Sequence, residues 1–354
     1  MWIRRVLVTL LAASVVGLSL VGAPAVQAAT DPKLKVTDVA ISRTAVAVSG
    51  LNTVPVQIRV TGGYDSTEPG DQDLPLVVYL QRTGGTGPLV RLVSTDLVRV
   101  SGTLQNGVWA GPVNVPSTAN GTFKVIGVTR GPFFLLMLGN MPPDPTPFDG
   151  PTLAITGSHL PKLTAKVNPP VVPFGSGFSI TWAVTDAQTG KPYGTRIAVR
   201  LDSDEGCLAG SPGPNDLRTS TAGLLTKAYP ASAAVSLHCL RIRSNPLDIA
   251  SVGAVVARPG IVSAVPSRTS APVGTVVLVN GNVLGPPVGC LVHLQRLMGA
   301  TQWRTVSSGS VRASGRFTVT AQPAYKGLIP YRVYFPTCHR YQAGLSRTFY
   351  IRGL

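Results

Sequence analysis

Val77-Val78-Tyr79-Leu80-Gln81-Arg82 returns far down the chain as Leu291-Val292-His293-Leu294-Gln295-Arg296, and a degenerate copy, Ile197-Ala198-Val199-Arg200-Leu201-Asp202, lies between them. Each copy is followed by a glycine, a run of alternating residues and a proline: Gly107 to Pro116, Gly223 to Pro230, and Gly315 to Pro323. A further apolar run with a basic residue inside it comes next: Phe123-Lys124-Val125-Ile126, Leu240-Arg241-Ile242 and Tyr331-Arg332-Val333-Tyr334. The same three elements in the same order, three times, define an internal repeat of about 100 residues.

Each repeat reads as strands. Thr275-Val276-Val277-Leu278-Val279 is a β-branched run bounded by Gly274 and the turn pair Asn280-Gly281. Phe317-Thr318-Val319-Thr320 alternates apolar and polar residues, as a half-buried strand does. Leu217 to Ala234 could be drawn as a helix, but Gly223, Pro230 and its alignment with the Phe317 strand oppose that. The 354 residues include 38 Gly and 31 Pro, which would interrupt helices throughout. A hydrophobic fraction of 44% excludes a disordered chain. Short strands, frequent turns and the length of the unit predict an all-β chain of three tandem immunoglobulin-like β-sandwich domains. The units span residues 30–157, 158–257 and 258–354. The proline-rich stretch from Met141 to Pro151, with Pro142-Pro143-Asp144-Pro145, reads as a semi-rigid connector at the end of the first unit.

Residues 1–29 read as a cleaved signal peptide. Arg4 and Arg5 precede an apolar core from Val6 to Val21, and Val26-Gln27-Ala28-Ala29 offers a small-residue cleavage site. Phe133 to Leu138 is too short to span a bilayer and reads as a buried strand. These features predict a secreted, extracellular protein, held at the cell wall non-covalently if at all. Such a location favours disulfides, and the repeat pairs Cys207 with Cys239 and Cys290 with Cys338. Each bridge would contribute about 3–4 kcal/mol by loop entropy. The rival arrangement makes zinc ligands of Cys290-x-x-His293 and Cys338-His339.

Unit three also resembles the immunoglobulin-like repeats of secreted actinobacterial proteins. The resemblance rests on Leu294-Gln295-Arg296, Trp303, Val306, Gly315, Phe317, Pro323, Gly327, Tyr331-Arg332-Val333 and Ser346. It extends in part to unit one and poorly to unit two. It implies a surface or extracellular β-sandwich serving structure or binding, and it identifies no ligand.

Charge is distributed unevenly. Without Arg4 and Arg5, 29 basic residues against 15 acidic ones leave +14. Unit one holds nine of each, and unit two nine basic against six acidic. Unit three holds eleven basic residues and no acidic one: Arg258, Arg268, Arg296, Arg304, Arg312, Arg316, Lys326, Arg332, Arg340, Arg347 and Arg352. Tyr325, Tyr331, Tyr334, Tyr341 and Tyr350 are interspersed among them. Cations without internal counterions require solvent ions, another domain or an anionic partner. The expected anion-binding residues are Arg296, Arg304, Arg312, Arg316, Lys326, Arg332, Arg340 and Arg347. The expected partner is an anionic cell-envelope polymer or a glycolipid headgroup, with nucleic acid less favoured. The alternative is a solubility charge whose arginine stems cover apolar surface.

No nucleophile elbow, H-E-x-x-H or P-loop occurs, and His159, His238, His293 and His339 are scattered. The expectation is a non-catalytic structural or adhesion protein without cofactor or metal. Asp202-Ser203-Asp204-Glu205 and the loop bearing Asp65, Glu68, Asp71 and Asp73 lack an EF-hand frame and read as solvated loops. Each unit has one tryptophan, Trp109, Trp182 or Trp303, expected in the sandwich core. Were they exposed and coplanar, the alternative of a carbohydrate-binding module would gain.

Overall fold

Strict alternation builds the sheets. In the Phe178–Asp186 strand, Phe178, Ile180, Trp182, Val184 and Asp186 all turn inward while the residues between them are more exposed. The same period of two sends Phe317, Val319 and Ala321 inward in the Arg316–Ala321 strand. The computed structural model describes residues 30–133, 144–202, 217–233, 237–244 and 246–354. The expected signal peptide, most of the Phe133 to Leu138 run, Met141 to Pro143, and Ser203 to Glu205 with Cys207 lie outside the described residues.

Six sheets pair face to face as three β-sandwiches. In the first, one sheet orders the strands Leu34–Ile41, Thr53–Tyr64, Gly107–Pro116 and Val98–Gly102. The other orders Ala45–Ser49, Thr152–Ser158, Gly121–Arg130, Leu76–Gly84 and Arg91–Val93. The second sandwich sets Pro161–Asn168, Phe178–Asp186 and Leu224–Tyr229 against Leu217–Arg218, Ala198–Asp202, Leu237–Ile242 and Ala250–Val255. The third sets Val262–Pro266, Val277–Val283 and Arg316–Ala321 against Ser270–Ala271, Phe349–Gly353, Gly327–Phe335, Leu291–Met298 and Gln302–Ser310. A parallel pairing between an early segment and the last strand recurs in all three, at Ala45–Ser49, at the Val171 to Ala257 bridge and at Ser270–Ala271. These are immunoglobulin-like sandwiches. Leu224–Tyr229 is a strand along Phe178–Asp186, as the repeat predicted.

The repeated sequence elements occupy equivalent places. The first and third elements pair antiparallel in each sandwich, setting Gln81 against Lys124, Arg200 against Arg241 and Gln295 against Arg332. The middle element joins the opposite sheet each time. Leu80 and Leu294 point into the core, and the arginine that follows curls back against an aromatic residue of the facing strand. The Arg82 guanidinium lies 4.9 Å from the Phe123 ring centroid and donates to the carbonyls of Leu89 and Asn120. Arg296 borders the buried Tyr331, whose hydroxyl donates to the Gln322 carbonyl at 3.0 Å.

Trp109 and Trp182 are fully buried, with Trp109 Nε1 donating to the Leu74 carbonyl at 2.9 Å. Trp303 departs from the expectation. It is half-buried on the Gln302–Ser310 edge strand and pairs with Leu297 away from the core.

The Pro-rich stretch is not a connector where the structure describes it. Thr146–Pro147 pairs with Gly121–Arg130, and Thr152–Ser158 then completes the same sheet. Passage to the second sandwich is made by His159 and Leu160 alone, with His159 at a φ of 51°. Both joints are tied by side-chain hydrogen bonds. At the first, Thr118 Oγ1 donates to Ile249 O at 2.5 Å. At the second, buried Arg258 donates through Nη1 to the carbonyls of Val172 and Pro173 at 3.2 and 2.5 Å. It also lies 5.4 Å from the Phe174 ring centroid, and Phe174 packs against the third core. Replacing Arg258 with Ala strands two carbonyls and empties the joint. We expect a loss of about 2–3 kcal/mol in the unfolding free energy of the third sandwich, read as a lower denaturant midpoint, with faster proteolysis between residues 256 and 261. An unchanged midpoint and digestion pattern would show that the joint does not depend on this side chain.

Candidate functional site

The outward positions of the larger sheet in the third sandwich hold a band of polar and aromatic side chains. Outward residues of Gly327–Phe335 are Leu328, Pro330, Arg332 and Tyr334, because Ile329, Tyr331, Val333 and Phe335 fill the core. The Arg332 guanidinium lies 4.2 Å from the Trp303 ring centroid, and its Nε donates to Gln295 Oε1 at 2.9 Å. Next to it, His293 stacks on Tyr334 at 6.4 Å between ring centroids and its Nδ1 lies 2.7 Å from Ser308 Oγ. Leu328 and Tyr350, both more than half exposed, extend the band across the sheet.

The eight residues expected to bind anions are not gathered here. Arg332 lies on this face. Arg312 and Arg316 lie on the opposite sheet, where Arg312 Nη2 donates to Thr318 Oγ1 at 3.2 Å and Arg316 stands exposed across from Asn282. Arg304 is exposed on the edge strand, its Nη2 donating to Gln302 Oε1 at 3.2 Å. Arg296 is half-buried beside Tyr331, with Nη2 3.2 Å from Met298 Sδ. Lys326 precedes the Gly327–Phe335 strand and Arg340 follows it, so they occupy opposite ends of the sandwich. Arg340 lies 5.7 Å from the Tyr341 ring centroid, and Arg347 is exposed before the last strand. Sequence spacing alone missed Gln295 and Trp303 as partners of Arg332. The signal for Gln295 was present in the repeated Leu-Gln-Arg.

Cys290 and Cys338 form a disulfide with Cα atoms 6.1 Å apart. The zinc arrangement is thereby disassembled, since both sulfurs are bonded to each other and His293 faces Ser308. Cys239 is buried and disulfide-bonded, whereas Cys207 lies outside the described residues. Asp202 is no solvated loop residue. It accepts from Arg200 Nε at 2.9 Å and Arg241 Nη1 at 3.1 Å, and Arg241 also pairs with Asp248. In the other acidic loop, Asp71 accepts the Ser66 hydroxyl at 2.6 Å and shapes a short 3-10 turn.

A cleft of about 350 Å³ at the first joint is lined by Ser49, His159, Asp186 and Tyr193 among others. His159 Nδ1 lies 2.8 Å from Asp186 Oδ2, which also accepts the Thr189 hydroxyl, while Gln188 N donates to Asp186 Oδ1. Tyr193 OH donates to His159 O at 2.5 Å. Among the described residues no hydroxyl is hydrogen-bonded to the other ring nitrogen, and the His159–Asp186 pair clasps the connector. Burial opposes ionisation of Asp186, but the hydrogen bonds from His159, Gln188 and Thr189 prevail and hold it at about 2. Burial, reinforced by that carboxylate, pushes the Tyr193 phenol up to about 12.

Fold and face together define a tandem immunoglobulin-like protein with an open sheet face in its third sandwich. No family model matches the chain, and no curated protein matches it in sequence. Among solved structures, it is similar to FdeC, an Escherichia coli adhesin, at 12% identity over 90% of this chain and 96% of that one, with a TM-score of 0.27. It is similar also to dimeric latent PorU from Porphyromonas gingivalis, at 13% identity over 91% of this chain and 34% of that one, with a TM-score of 0.24. Among the described residues, no helix is long and apolar enough to cross a membrane.

The Asp186 clasp predicts a particular acid sensitivity. A carboxyl depressed in the folded chain stabilises it fully above the ordinary value of 3.8 and ceases to do so as pH falls through about 2. The stability difference between the wild type and Asp186→Asn should therefore be constant above about pH 4 and shrink toward pH 2 in denaturant titrations. A pH-independent difference would remove the ionised carboxylate from the clasp.

Proposed function

We propose that this chain is a non-catalytic, extracellular adhesion or structural protein whose third sandwich attaches to an anionic polymer of the cell envelope. The observation that carries this reading is the charge of that sandwich: eleven basic residues with no carboxylate among them. In the first two sandwiches buried or strand-borne cations meet carboxylates, as Lys124 meets Asp149 and Arg241 meets Asp202 and Asp248. In the third they rest on rings, carbonyls and amides, which orient a guanidinium without neutralising it. The field is available to a partner at contact distance and decays within about 8–10 Å at physiological salt. The disulfides and the hydrogen-bonded joints suit a protein that works outside the cell. A carbohydrate-binding module built on its tryptophans is disfavoured, because Trp109 and Trp182 are enclosed in cores.

The test uses the full chain on a polyphosphate column eluted with salt. Changing Arg304, Arg332, Arg347 and Arg352 to Gln should bring elution to clearly lower salt. The same number of changes in the first sandwich, at Lys33, Lys35, Arg43 and Arg59, should leave it nearly unmoved. Equal shifts from the two sets would show that only total charge matters and would sink the attachment reading.

A further inference from the structure

The three sandwiches carry one cation at the same register position, and among the described residues only the third leaves it without an acid. Lys124, Arg241 and Arg332 each sit opposite the repeated first element, at Gln81, Arg200 and Gln295. Lys124 is paired with Asp149, and Arg241 with Asp202 and Asp248. Arg332 has Gln295 on its Nε and Trp303 under its plane. Its two Nη groups make no hydrogen bond to described residues.

The face around it is open in the third sandwich and closed in the first. Val77 and Tyr79 are buried under Phe133 and Leu247, the latter from the second sandwich. At the corresponding positions Leu291 is 49% exposed and His293 is half-exposed. Among the described residues, neither a carboxylate nor a covering loop replaces what the first sandwich has.

We propose that Arg332, held by Gln295 and Trp303, is the binding subsite for a carboxylate of an acidic polysaccharide lying across this sheet face. The inference rests on the polyanion reading above and assigns it a site and a ligand class. A guanidinium fixed at Nε and on one face presents its remaining Nη edge as a planar fork, and a carboxylate matches that fork with two parallel hydrogen bonds. The surroundings choose a saccharide over a phosphodiester chain. Trp303, Gln295, Arg332 and Tyr350 lie on four adjacent strands, about 14 Å across at ordinary strand spacing. Tyr350, Leu328 and the Tyr334–His293 stack give that band apolar ring surface on which sugar C–H faces rest, and a densely hydrated phosphate chain gains nothing there.

The experiment is calorimetric titration of the full chain with polygalacturonate, with polyphosphate of equal charge concentration and with neutral dextran. Polygalacturonate should bind more tightly than polyphosphate, and dextran should not bind measurably. Arg332→Gln should weaken polygalacturonate binding at least about tenfold. Arg332→Lys, which keeps the charge without the fork, should weaken it nearly as much, whereas Arg316→Gln on the opposite sheet should change it less than about twofold. Thermal unfolding confirms that each variant is folded. If Arg332→Gln behaves like Arg316→Gln, or polyphosphate binds as well as polygalacturonate, the subsite is wrong while general attachment to polyanions stands. Absence of binding to either anionic polymer overturns both.

Discussion

The antiparallel register between the first and third repeated elements governs the rest of this molecule. Once the core-facing Leu80, Val199 and Leu294 are placed, period-two alternation fixes which neighbours face solvent. A cation then falls on the same register position of each sandwich, beside residue 81, 200 or 295. The scaffold is thus constant and its chemistry is set by what surrounds that one position. An ion pair with Asp149 occupies it in the first sandwich. A buried cluster of two arginines and two aspartates occupies it in the second. In the third it is an arginine on a tryptophan.

A sandwich with eleven cations and no acid must hold its charge without internal salt bridges. It does so by spreading guanidinium groups over ring faces and carbonyls. Arg258 lies over Phe174, Arg332 over Trp303 and Arg340 over Tyr341. Such contacts add about 0.5–1 kcal/mol each at exposed sites and cover apolar surface with the arginine stem. They leave the positive field intact, because a quadrupole attracts a cation without cancelling its charge. The consequence is a domain that is locally comfortable and electrostatically unsatisfied.

The joints bear on how such a domain is presented. Side-chain hydrogen bonds to backbone carbonyls cross both of them, and Leu51 and Phe174 each reach into the neighbouring core. Reorientation at either joint would break several of these at once. Attachment through the third sandwich would therefore be transmitted to the first through packed contacts rather than through a slack tether.

The amino-acid sequence by itself determined the all-β class, the threefold repeat and the excess of cations in the last unit. Alternation, turn residues and composition are local quantities, and they survive without knowledge of neighbours. It also located the Leu-Gln-Arg element but gave no role to the Gln, since that role exists only when residue 332 lies across from residue 295. Trp303 looked like the buried Trp109 and Trp182 in composition, and only its place on an edge strand turned it outward. The tertiary structure alone decided that the eight expected cations divide between opposite sheets and ends, that the Pro-rich stretch belongs to a sheet, and that Arg258 is enclosed in a joint. Each of these depends on residues far apart in the chain meeting in space, and spacing along a sequence carries no record of such meetings.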